Sequence, residues 1–191
     1  MKPAKHKTVL LVIDVQESFR ARPYWQPREL PLFLANTQSL IDQCRERGIP
    51  VLQVFHQEPQ SEVGNPFHPD SGLIRALPEL KLRADAVFYK EVHSALFGRT
   101  ADGLTLEQWL RHQGVEEILI TGIRTEQCCE TTTRHASDVG FKVRFVTDAT
   151  LTFPMESRTT GRTYTTAEIR ERTELVLDGR FAQVVTAAEA L

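Results

Sequence analysis

Three side chains able to activate a carbonyl-attacking thiol stand where three short apolar runs end: Asp14 after TVLLVI, Lys90 after AVFY, and Cys128 just past ILITG. A thiol is mostly protonated at neutral pH, and it becomes nucleophilic when a helix N-terminus and a nearby cation favour the thiolate. Cys128 lies in GIRTEQCCETTTRHASDVG, at the start of a predicted helix directly after a predicted strand, where backbone N–H groups would point at the sulfur. Each residue also has an ordinary explanation. A lone buried cysteine is more often inert packing, an acidic residue at a strand end commonly caps a loop, and a lysine can be a solvated charge. Lys90 is set apart because it follows four apolar residues; an unpaired ammonium emerging there is costly, so a carboxylate or thiolate partner is expected. Cys129 points about a quarter-turn away from Cys128 on the helix and reads as core.

The elements that must bring these residues together alternate between strand and helix. TVLLVID (8 to 14), PVLQVFH (50 to 56), AVFYK (86 to 90), EILITG (117 to 122), KVRFVTD (142 to 148) and AQVVTA (182 to 187) are short apolar runs that suit strands buried on both faces. Leu30, Phe33, Leu34, Thr37, Leu40, Ile41 and Cys44 recur at helical spacing before Gly48, which places Cys44 in the core. Further helices are predicted around Leu106, Trp109 and Leu110 before Gly114, and from Cys128 to Gly140. Thr165 with Glu168 forms a capping box for a last helix, on which Ile169, Arg172, Thr173 and Val176 share one face, although only Ile169 and Val176 on it are apolar. Six strands with crossovers imply an α/β fold: a Rossmann-like three-layer αβα sandwich around a six-stranded parallel sheet, with residues 1 to 191 as one domain. In such a sheet the ligand crevice lies outside the carboxyl ends of the strands, so Asp14, Lys90 and Cys128 converge there.

Composition narrows the function classes. Of the 191 residues 41 % are hydrophobic and 25 % charged, as in an ordinary globular chain, and the net charge of −2 gives no electrostatic case for nucleic acid or an anionic membrane. No stretch is long and apolar enough to span a bilayer. The N-terminal MKPAKHK is basic, but the apolar run after it contains Asp14 and lacks a small-residue cleavage site, so no secretory signal is expected. Three cysteines, two of them adjacent and none in a CxxC, argue against a disulfide framework and a thiolate zinc site. A reducing cytoplasm fits best. No GxGxxG follows the first strand, which leaves dinucleotide binding without support.

Three connections, 15 to 29, 57 to 85 and 149 to 164, exceed the usual few residues and are read as lids, pocket walls or subunit contacts. The first carries Phe19, Tyr24 and Trp25 and the third Phe153 and Tyr164, aromatic walls for a small pocket; simple loop packing is the alternative for each. Arg124, Arg158 and Arg162 could orient a substrate carboxylate by bidentate contacts, although surface solvation is the commoner role for a single arginine.

The blocks LLVIDVQESF, YKEVHSALFG, ITGIRTEQCCETTTRHASDVGFKV and FVTDA together resemble the isochorismatase-like cysteine hydrolases, a family that includes nicotinamidases and N-carbamoylsarcosine amidase. The resemblance implies a triad of Asp14, Lys90 and Cys128, a non-proline cis peptide between Ile123 and Arg124, and an oxyanion hole made by the N–H groups of Arg124 and Cys128. It implies hydrolysis of a small amide through a thioester, without a cofactor, by a homo-oligomer. Thr125, matching a threonine of many relatives, is read as bracing the turn. Nicotinamidases hold a metal with an Asp-x-His pair and further histidines, but Val54 stands where that aspartate would precede His56, so no metal is expected. His56, Glu58, His68 and Asp70 are read as solvated or hydrogen-bonded, with His56 counted among the pocket residues. Cys128 also argues against the vinyl ether hydrolysis of true isochorismatases, which needs no thiol. A different class stays open: a non-catalytic homo-oligomeric binding or thiol-sensing member, in which Cys128 and Cys129 could be oxidised. Thiol alkylation separates the two, since a triad is expected to label quickly at Cys128 and a structural cysteine slowly.

Overall fold

The computed structural model describes residues 7–191, so the basic stretch over 1 to 6 lies outside the described residues. Strands β1 (Thr8–Ile13), β2 (Val51–His56), β3 (Ala86–Lys90), β4 (Glu117–Ile123), β5 (Lys142–Leu151) and β8 (Gln183–Val185) form one sheet in the order β3-β2-β1-β4-β5-β8. Every neighbouring pair in it is parallel. In β1, Val9, Leu11 and Ile13 face one core and Leu10 and Val12 the other, and all five are fully buried. That is why the strand reads as an unbroken apolar run instead of alternating.

Helix α1 (Leu30–Glu46) covers one face, with Leu30, Phe33, Leu40, Ile41 and Cys44 buried beside Phe67, Leu77 and Leu80 from the 57 to 85 connection. Helices α2 (Leu106–Gln113), α3 (Glu130–Asp138) and α4 (Thr166–Leu177) lie on the other, contributing Leu106, Leu110, Ala136 and Leu177. Both α2 and α4 begin with capping boxes, Thr105 with Gln108 and Thr165 with Glu168, which satisfy N–H groups left unpaired at a helix start. The buried positions of α4 are Ile169, Thr173 and Leu177, a strict four-residue step. The sequence reading therefore needs correction there: Arg172 is exposed and Val176 only partly buried, while Leu177 is the anchor.

Several strand ends differ from the expected ones by one or two residues, and the larger differences lie in and after β5. β5 runs on past Asp148 to Leu151, because the Asp148 carboxylate accepts a hydrogen bond from the Ala187 N–H at 2.7 Å and so sits in a strand without cost. The connection after β5 is not an irregular loop throughout; Met155–Glu156 (β6) and Thr163–Tyr164 (β7) pair as a small antiparallel ribbon.

The winding direction reverses at β1: the chain builds outward through β2 and β3, then returns to lay β4 on the other side. Such a reversal opens a crevice at the strand carboxyl ends. There Ile13 and Gly122 are register partners, and a Cβ on Gly122, whose φ is 139°, would lie 2.0 Å from the Ile13 carbonyl oxygen. Only glycine permits this approach. Gly122→Ala should destabilise the protein by about 3 kcal/mol or more, since backbone rather than a flexible side chain must move; an unchanged urea midpoint would contradict this.

Candidate active site

Asp14 follows β1 directly, in the left-handed region at φ 54°, a conformation that aspartate tolerates better than most residues. Its N–H donates to the Val54 carbonyl at 2.9 Å, which fixes the turn against β2. Lys90 ends β3, two strands from β1, so its side chain must cross about 10 Å of sheet. It does so over His56, its register partner on β2. Cys128 arrives from the far side of β1, in a single π-helical turn, Thr125–Cys129, between β4 and α3. Turns of this kind recur at functional sites because they re-aim side chains. Thr125 braces it, donating to Thr150 Oγ1 at 2.8 Å. The turn after Lys90 is fastened to α3 as well: the Ala95 N–H donates to Thr132 Oγ1 at 2.9 Å, and Ser94 Oγ lies 2.7 Å from His135 Nδ1.

Lys90 Nζ lies 2.8 Å from Asp14 Oδ2 and 3.3 Å from Cys128 Sγ, with both charged side chains wholly shielded from solvent and Cys128 only 6 % exposed. Neither Asp14 oxygen takes a hydrogen bond of good geometry among the described residues. A buried carboxylate with unfilled acceptor capacity is costly, and a thiol or substrate proton would fill it. Burial disfavours the Lys90 ammonium, but the Asp14 carboxylate and the Cys128 sulfur outweigh burial and hold its pKa above the ordinary value. Lys90 is therefore charged at neutral pH.

The sulfur behaves differently from the sequence reading, which expected the helix start and the lysine to favour thiolate. Burial first, then the Asp14 carboxylate, push the Cys128 thiol up to about 12 against the pull of Lys90. Cys44 and Cys129 are raised by burial too, and all three cysteines are free. At rest the Cys128 sulfur is thus a neutral thiol beside a carboxylate. Iodoacetamide at pH 7 should label Cys128 slowly in the folded protein, and faster as the pH approaches 10, so slow labelling does not separate a triad from a structural cysteine as the sequence reading expected; rapid labelling at neutral pH would contradict this protonation state.

Around this group, His56 Nδ1 is 3.4 Å from Lys90 Nζ, and His56 Nε2 is 3.4 Å from Glu58 Oε1. Burial and then the Lys90 charge lower the His56 pKa, so the ring is neutral at pH 7. Gln16 bridges β1 and β2, donating to the His56 carbonyl at 2.9 Å and accepting from the His56 N–H at 2.8 Å. Sequence reasoning passed over Gln16; a polar residue two positions past a buried strand-end aspartate was the available signal.

Of the predicted pocket aromatics, Phe19 packs edge-on against Phe67 at 5.1 Å, and Phe67 in turn meets the His56 ring at 5.5 Å. Trp25 and Tyr24 each lie 5.3 Å from Phe153. Tyr164 lies on the exposed ribbon, where it lines a cavity of about 550 Å³ with Glu126, Met155, Ile169 and Arg172. His68 and Asp70 are 3.8 Å apart, and among the described residues no three His, Cys, Asp or Glu side chains gather in a way that could hold a metal ion.

The peptide between Ile123 and Arg124 is cis. No main-chain acceptor outside the turn takes the N–H of Arg124 or of Cys128 among the described residues. The Arg124 side chain is buried, its guanidinium 4.8 Å from the Tyr24 ring centroid and 5.7 Å from that of Phe153, and it pairs with Glu126 Oε1 at 2.9 Å. Thr152 Oγ1 donates to the other Glu126 oxygen at 2.6 Å. Arg158 is exposed, as is Arg162, which pairs with Glu168.

A doubly wound parallel sheet with an acid, an amine and a thiol at its switch point defines an α/β hydrolytic scaffold. Residues 8–189 match the isochorismatase domain, and the chain belongs to the isochorismatase family of hydrolases. Nicotinamidase 3 of Arabidopsis thaliana is 32 % identical over 168 residues, 81 % of this chain and 78 % of that protein. An isochorismatase-family structure from Chromobacterium violaceum superposes with a TM-score of 0.81 at 29 % identity, covering 97 % of this chain and 92 % of that one. N-carbamoylsarcosine amidase of Thermoplasma acidophilum shares the fold, with a TM-score of 0.71 at 20 % identity over 96 % of this chain and 98 % of its own.

Proposed function

We propose that this protein is a cysteine-dependent hydrolase that cleaves an amide-type C–N bond of a small molecule through a thioester. The observation that carries the proposal is the position of Lys90 Nζ, 2.8 Å from the Asp14 carboxylate and 3.3 Å from the Cys128 sulfur in a dry site. The similarity to a nicotinamidase supports the choice of bond.

Asp14 takes the thiol proton as the sulfur attacks the substrate carbonyl carbon, and the Lys90 ammonium offsets the charge that develops on sulfur. The carbonyl oxygen becomes an oxyanion received by the N–H groups of Arg124 and Cys128, an interaction worth about 3 to 4 kcal/mol per donor in comparable sites. As the tetrahedral intermediate collapses, the C–N bond breaks and Asp14 passes its proton to the departing nitrogen. Water, deprotonated by Asp14, then attacks the thioester; the acid leaves and the thiol is regenerated. A raised thiol pKa suits this order, because proton transfer to Asp14 occurs with attack instead of before it. It also weighs against a thiol sensor, which needs an accessible, readily ionised sulfur.

A screen of small primary amides and ureas for released ammonia tests the reading. Turnover is expected for some members, and silence across the set would overturn it. We further place the protein in a reducing cytoplasm, where its free buried thiols persist, and assign it a homo-oligomeric state with the β6–β7 ribbon as contact. Light scattering should give a mass that is a multiple of 21.7 kDa; a monomer mass would remove that assignment.

Among the described residues no helix is long and apolar enough to cross a membrane.

A further inference from the structure

Resting on the hydrolase reading above, we propose that Glu126 neutralises Arg124 so that the site takes uncharged amides or ureas and rejects those bearing a carboxylate. Arg124 is the guanidinium nearest in the chain to Cys128, and its own N–H is an oxyanion donor in the proposed mechanism. An arginine so placed would ordinarily attract an anionic substrate by bidentate contacts. Here Glu126 occupies it at 2.9 Å, with both side chains about nine-tenths buried. Displacing Glu126 would strand a buried carboxylate whose other oxygen is held by Thr152.

The other charges near the crevice are matched in the same way. Asp14 pairs with Lys90 at 2.8 Å, and Glu58 lies 3.8 Å from Arg22 and 3.4 Å from the neutral His56. An incoming carboxylate would lose its hydration and, among these described residues, meet cations that already have a carboxylate partner. A neutral planar group fares better. Tyr24, Trp25 and Phe153 supply apolar faces beside the Arg124–Glu126 pair.

The test uses matched primary amides that differ by a carboxylate: butyramide against succinamate, and benzamide against 4-carbamoylbenzoate, with ammonia release as readout. The wild-type protein should favour the neutral member by at least about tenfold in kcat/KM, the scale set by leaving a buried charge unpaired. Glu126→Gln, which frees the Arg124 charge, should shift that ratio toward the anionic member by at least about tenfold, chiefly through its KM, whereas Glu126→Asp should keep the wild-type preference. Wild-type preference for the carboxylate-bearing members would overturn the inference even if the variants do not fold. So would an unchanged ratio in a folded Glu126→Gln protein. Absence of ammonia from every pair would instead remove the hydrolase reading and this inference with it.

Discussion

Cys128→Ala should lower amide turnover by about 10⁴-fold or more, with a loss of stability of only about 1 kcal/mol. The two effects separate because, in the proposed mechanism, the sulfur makes the covalent bond but carries little of the fold. Removing it leaves the Asp14–Lys90 ion pair at 2.8 Å, the π-helical turn and the braces at Thr125 and Thr132 in place. The cavity left behind is about one atom in size. Turnover within tenfold of wild type would mean that another group attacks the carbonyl, and Cys129 is poorly placed to be that group because it is fully buried on the core side of the turn.

The second large effect is on stability. Lys90→Met keeps most of the apolar stem but deletes the ammonium, leaving the Asp14 carboxylate shielded from solvent with no counter-charge. Breaking a buried pair from one side typically costs about 3 to 5 kcal/mol, far more than the pair contributes when compared with an uncharged replacement. The single variant should therefore lose stability on that scale, and Asp14→Asn combined with Lys90→Met should recover most of it. Both variants should be inactive. Urea unfolding of the four members of this cycle gives the coupling directly; additive losses would show that the two groups are not coupled in the folded protein.

The parts of the fold legible in the sequence share one physical cause. A parallel strand buried on both faces is a run of apolar residues that stops where the backbone reaches the crevice, so TVLLVI announced both its burial and the aspartate after it, whereas AVFYK, expected to be buried on both faces, is the edge strand and leaves Tyr89 exposed. Capping boxes are equally local, and the Thr165–Glu168 pair marked the start of α4 correctly. What escaped depends on contacts between distant segments. Asp148 looked like a strand terminus because its partner, the Ala187 N–H, lies 39 residues away. The need for glycine at 122 comes from the Ile13 backbone. In α4 the sequence reading put Val176 on the face of Ile169, whereas the anchor is Leu177, and the buried Thr173 between them has its hydroxyl satisfied by the Ile169 carbonyl at 3.0 Å.

The same division holds at the site. Residue types and strand ends pointed to Asp14, Lys90 and Cys128, but the protonation of the sulfur did not follow from them. Helix start and neighbouring cation argue for thiolate, and the opposing term, burial, is a property of the assembled crevice. Arg124 was read as a candidate for substrate anions or as a solvated charge, and its burial against Glu126 follows only from the folded turn. Tyr164 was grouped with the pocket aromatics by sequence proximity to Phe153; the ribbon places it on a cavity that Glu126, the partner of Arg124, also lines.

Attack by sulfur on a carbonyl leaves a covalent trace, and that trace is the most direct test of the whole scheme. Protein quenched in acid during turnover of a hydrolysed amide, digested and weighed by mass spectrometry should carry the acyl group on the peptide containing Cys128, and Cys128→Ala should carry none. Sustained ammonia release with that peptide unmodified at every quench time, or the acyl group on a different residue, would contradict it.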